Sequence, residues 1–98
     1  MIEDERKYLQ SVYRHIYEGG EDFWLSGPTT DNPEFLRIKN MDKIHLKNAM
    51  KRVKNDRSYI ESEFGNRYKS KENKDEFVSL AEKKIAAMQS ALANKNIY

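Results

Sequence analysis

The sequence predicts a mainly α fold, α+β only at the margin, with three helices and a short β-hairpin or extended segment between the first and the second. Two observations predict it. Apolar residues recur at helical spacing in three separate stretches, and the first two stretches are joined by a segment of turn-forming residues between short apolar runs. A length of 98 residues bounds the result to a single domain with one modest core.

Helix one is expected over about residues 2–18. Leu9, Val12, Tyr13 and Ile16 fall at i, i+3, i+4 and i+7, the pattern of one amphipathic face. Glu3, Asp4 and Glu5 suit the positive end of the helix dipole, and Gly19 or Gly20 can take the left-handed conformation that closes it.

Residues 21–38 cannot be helical throughout. Gly27, Pro28, Asp31, Asn32 and Pro33 separate the apolar runs at 23–25 and 35–38, which favours a small hairpin or two extended segments. Trp24 is placed to anchor this segment on the helices through its large apolar area.

Helix two is expected over about residues 43–68. Asp42 can accept from the free N–H groups of the first turn, and Met41 with Leu46 forms a hydrophobic staple. Leu46, Ala49, Met50 and Val53 make the inward face, and Ile60, Phe64 and Tyr68 continue it in phase. Arg57 lies on that seam and has to snorkel or mark a break.

The last helix is expected over about residues 74–93, with Asn73 and Glu76 in a capping-box pattern. Phe77, Leu80, Ala81, Ile85, Met88 and Leu92 hold its apolar face, so helices two and three should form an antiparallel hairpin closed by helix one. One thin layer leaves apolar surface that a second copy would cover, so a homodimer is a reasonable expectation.

Composition removes whole classes of chemistry. Without cysteine there are no disulfides, thiolate zinc sites or cysteine nucleophiles. The acidic N-terminal stretch has no apolar signal core, and no window approaches the roughly 20 apolar residues of a membrane span, so a soluble, unexported protein is expected. The net charge of +2 is unevenly spread. Residues 1–36 hold 3 basic and 8 acidic side chains, residues 37–74 hold 12 and 5, and residues 75–98 hold 3 and 3. An acidic front and a basic middle can face different partners, or each other.

The candidate sites cluster on helix two. Lys43, Lys47, Lys51 and Lys54 fall within about 80° of arc at 100° per residue, while Arg52 and Arg57 point elsewhere. Such a row can track phosphates, with Tyr59 or Tyr68 to stack on a base, can dock on an acidic protein, or can be an ordinary solvated face. His45 and Asn48 are neighbours three apart, with Arg52 beside them. They could contact a phosphate or a carbonyl, but no carboxylate or serine completes a catalytic set. Their simplest role is to fix the hairpin by hydrogen bonds to its backbone. His15 and His45 are the only histidines and share no ligand spacing, and no phosphate-binding glycine loop occurs, so neither metal nor cofactor is expected. Tyr8 and Tyr17 could serve an interface through helix one.

Trp24, Ile38 and the run "NMDKIHLKNAMKRV" resemble the signature of small phage-encoded and prophage-encoded accessory proteins, in which a Met-Thr or Met-Asp cap precedes His-Leu-x-Asn-Ala and a basic helix. The likeness covers residues 24–54, and the segment "TDNPEF" replaces the usual glycine-bearing turn. It implies an early, host-directed protein in the host cytoplasm, of a class that includes inhibitors of host defence systems and host enzymes. The function expected is therefore non-enzymatic binding of a host protein, with a small RNA-binding or DNA-binding module as the alternative.

Overall fold

The computed structural model describes residues 2–27 and 31–96, with the side chains of Ile2, Glu3 and Asn96 also outside the description. Pro28 of the expected turn therefore lies outside the described residues, as does the side chain of Glu3. The elements run α1 (Ile2–Val12), α2 (Arg14–Tyr17), β1 (Phe23–Ser26), β2 (Glu34–Arg37), a 3-10 turn (Ile38–Asn40), α3 (Lys43–Glu63) and α4 (Lys71–Asn96). This is a mainly α fold with a small two-stranded antiparallel sheet.

The first expected helix is two segments. Tyr13 leaves helical geometry, at φ −109° and ψ 45°, and the chain turns there. Leu9, Tyr13 and Ile16 stay buried, but His15 turns inward with them and Val12 is left 44% exposed, contrary to the expected face. Arg6 of α1 makes a two-pronged ion pair with Glu76 of α4 at 2.9 and 3.0 Å, and Tyr17 stacks on Phe77.

β1 and β2 pair with Trp24 opposite Leu36 and Leu25 opposite Phe35. Trp24 is buried and sets its ring edge-on to His15 at 5.5 Å between centroids, so the indole anchors the hairpin to α2. Asp42 caps α3 as its sequence position demands, its Oδ1 accepting from the His45 N–H at 2.8 Å, and Met41 and Leu46 are both buried beside it.

α3 stops at Glu63, five residues short of the expected end. Gly65 adopts φ +94°, and the Glu63 carbonyl accepts from the N–H groups of Asn66, Arg67 and Tyr68, which ends the helix in a tight turn. Tyr68 is buried all the same, because the turn folds it back on the core; Phe64 is partly exposed, with Lys74 Nζ 5.3 Å from its ring centre. Arg57 does not break the helix. Its guanidinium reaches out to Glu61 at 3.4 Å and to Glu82 of α4 at 2.9 Å.

α4 begins at Lys71, before the expected start, with Ser70 in the role assigned to Asn73. Ser70 Oγ accepts from the Asn73 N–H at 3.2 Å. The carboxylate expected from Glu76 comes instead from Glu5 of α1, which accepts from the N–H groups of Ser70 and Lys69 at 3.3 and 3.2 Å. The capping box is thus closed across 65 residues of chain. The molecule is 17 Å thick in its least dimension, less than two helix diameters, so each helix keeps one face toward solvent. No helix among the described residues is long and apolar enough to cross a membrane.

Candidate interaction surface

With Leu46, Ala49, Met50, Val53 and Ile60 buried, α3 has two distinct flanks on either side of its apolar face. By the 100° rule Lys43, Lys47, Lys51 and Lys54 occupy one, and Asn48, Arg52, Tyr59, His45 and Asp56 occupy the other. Arg52 and Tyr59, candidates for the same partner or nucleic-acid contact, therefore lie on the other flank from the lysines.

On the first flank all four lysines are exposed, and none is in an ion pair among the described residues. Successive lysines sit about 6, 6 and 4.5 Å apart along the axis at 1.5 Å per residue. The arginines of the same helix are internally compensated: Arg57 by Glu61 and Glu82, and Arg52 more loosely by Asp56 at 4.0 Å. Positive charge on α3 is thus left open along one line only. Ile44 stands at the edge of that line, 74% exposed.

The second flank faces the hairpin and α2. His45 is half-buried and lies at the meeting of three shallow depressions: one with Asp42, Ile44 and Asn48, one with Phe35, Arg37 and Met41, and one with Trp24, Ser26 and Arg52. The hydrogen bonds expected from the His45 ring and the Asn48 amide to the hairpin backbone do not form among the described residues. Asn48 faces solvent, and packing of Trp24 holds the hairpin instead. Tyr59 is exposed at the far end of this flank, its hydroxyl accepting from Arg67 at 3.4 Å.

No protein-family model, no curated protein and no solved structure matches this chain.

Behind the second flank lies a polar group that the sequence reading missed. His15 is 1% exposed, and its Nε2 lies 2.5 Å from Asp56 Oδ2; its Nδ1 is buried without a partner. An unpartnered nitrogen is less costly as a bare lone pair than as an N–H, so the arrangement favours the tautomer in which Nε2–H donates to Asp56. Lys84, also 1% exposed, donates from Nζ to the carbonyls of His15 and Glu18 at 3.0 and 2.8 Å. A cation at these carbonyls complements the C-terminal end of α2. Burial pushes the Lys84 ammonium down to about 8, against the pull of nearby Glu18. One signal was available: Lys84 falls inside the arc of Phe77, Leu80, Ala81, Ile85 and Met88, where a lysine has to find partners in the interior. Among the described residues no group of three or more histidines and carboxylates is placed to hold a metal.

Proposed function

We propose that this chain is a host-directed binding protein of phage origin, acting in the host cytoplasm and inhibiting a host defence system or host enzyme by docking on it. The observation that carries the reading is the open lysine flank of α3 with Ile44 at its border. Uncompensated charge speeds encounter with an acidic surface, and an adjacent exposed aliphatic side chain supplies apolar area to hold the complex. The resemblance of residues 24–54 to phage accessory proteins supplies the setting.

The test is affinity capture from nuclease-treated host lysate, comparing the wild type with the Lys47→Glu/Lys51→Glu variant. Recovery of one stoichiometric host protein by the wild type, reduced at least tenfold by the double variant, supports docking through this flank. Capture that disappears with nuclease, or that ignores the charge reversal, overturns it.

The regular spacing of the lysines favours a second reading, an RNA-binding or DNA-binding module, because cations every 4.5–6 Å or so can neutralise successive phosphates. Affinity for mixed-sequence RNA or DNA would then fall steeply with salt, and the same double variant would abolish it.

A further inference from the structure

Between the end of β1 and the first half of α3, on the second flank of that helix, lies a depression of about 220 Å³. Ser26 lines it from β1, and His45, Asn48 and Arg52 line it from α3. The three α3 residues stand at i, i+3 and i+7 and so share one face. Side chains on a helix lean toward its N-terminus, and Arg52, the longest of them, therefore leans back toward Asn48 and His45. Trp24 and Ala49, each 4% exposed, close the bottom with apolar surface.

The polar side chains around this space are donors that the fold does not use. The Ser26 hydroxyl, the His45 ring and the Asn48 amide make no hydrogen bond among the described residues. Arg52 is held loosely: its Nε is 4.0 Å from Asp56 Oδ2, the oxygen already engaged by His15. No carboxylate is among the described residues that line the depression. A hydroxyl, a ring N–H, an amide and a guanidinium outnumber the two oxygens of a carboxylate and suit the terminal oxygens of a phosphate, which arginine binds in two-pronged fashion. The apolar bottom adds nothing to the hold on a bare anion and favours one that carries an organic group. A volume below the roughly 300 Å³ at which drug-sized sites begin limits that group to a small one.

The geometry points to a binding site for a small phosphate monoester, of the size of a sugar phosphate, between β1 and α3. Arg52 takes the phosphate two-pronged, Asn48, His45 and Ser26 donate to its remaining oxygens, and the organic group lies on Trp24 and Ala49. This site is separate from the docking reading above, which rests on the lysines of the first flank.

The test is titration of the full chain with ribose 5-phosphate, inorganic phosphate and malonate, read by calorimetry and by two-dimensional NMR. Ribose 5-phosphate should bind at least tenfold more tightly than either of the others and should shift the resonances of Ser26, His45 and the Asn48 side-chain amide. Arg52→Gln and Asn48→Ala should each weaken it at least tenfold, whereas Lys47→Glu/Lys51→Glu on the other flank should change it less than threefold. Arg52 and Asn48 are exposed, so neither change opens the core. If a variant does not fold, the resonance map of the wild type decides.

Absence of binding at millimolar concentration overturns the proposal. So does equal binding of malonate, which would mean attraction to positive charge alone, or equal binding of inorganic phosphate, which would leave the organic group no role. Shifts centred on Lys43, Lys47 and Lys51 would place the anion on the first flank and overturn it as well. The lysate capture above is independent of this site, so either result can stand when the other fails.

Discussion

Nε2 of His15 and Oδ2 of Asp56 lie 2.5 Å apart beneath Trp24, tying α2 to the middle of α3 where the sequence places no apolar contact. Removing the carboxylate leaves a buried imidazole nitrogen without its partner. Asp56→Ala should therefore cost about 1–3 kcal/mol, and a double-mutant cycle with His15→Ala should recover much of it as coupling. Denaturant unfolding of the four proteins measures this; additive effects would mean that the pair contributes nothing of its own.

Lys84 gives a pH dependence with a definite sign. Its folded value of about 8 lies below the ordinary 10.5, so between these values the unfolded chain binds more protons and stability rises with pH. The rise should be on the order of 1–3 kcal/mol. Burial and the neighbouring Tyr68 hydroxyl hold the Tyr13 phenol above its ordinary 10, so stability should fall again as pH climbs past 10. Lys84→Met should flatten the rise and keep the fall in unfolding curves recorded from pH 7 to 11.

Two adjacent glycines should respond unequally to alanine. Both have positive φ, +84° at Gly19 and +63° at Gly20, but only at Gly19 would a Cβ come within 3.0 Å of Phe23 Cβ and Phe35 Cε1. Gly20→Ala should cost about 1 kcal/mol for the backbone alone, and Gly19→Ala about 2–3 kcal/mol with displacement of the hairpin. The shift of the unfolding midpoint ranks them.

Asp42 and Glu5 cap different helices at opposite ends of the molecule, roughly 30 Å apart along α3. Each change to alanine should cost about 1 kcal/mol, and the double variant should show the sum to within about 0.5 kcal/mol. A larger combined loss in urea titration would mean that α3 and α4 do not report their caps independently.

The cap of α3 was legible in the sequence because Asp42, Met41 and Leu46 interact within one turn, and so were the apolar faces of Leu46, Ala49, Met50 and Val53 and of Phe77, Ala81, Ile85 and Met88. The end of α3 was not. Phe64 and Tyr68 remain in helical phase on paper, and only the Gly65 turn, held by three N–H groups on one carbonyl, takes them out of the helix. The start of α4 was misread for a related reason: Asn73 and Glu76 carry the right spacing, but Glu5 from a distant helix made Ser70 the better cap.

The candidate surface divides in the same way. Spacing along α3 was enough to align Lys43, Lys47, Lys51 and Lys54, because a helix converts sequence separation directly into angle. Whether a charge stays open depends on acids brought from elsewhere. Glu82 compensates Arg57, Asp56 serves both His15 and Arg52, and the lysines meet none. Local periodicity thus determined the helices, the hairpin and the line of lysines, since those interactions lie within a few residues of chain. Tertiary structure alone decided the pairing of His15 with Asp56, the carbonyls that receive Lys84, and the partners that Glu76 and Glu82 give to Arg6 and Arg57, since these depend on contacts dozens of residues apart that no local spacing encodes.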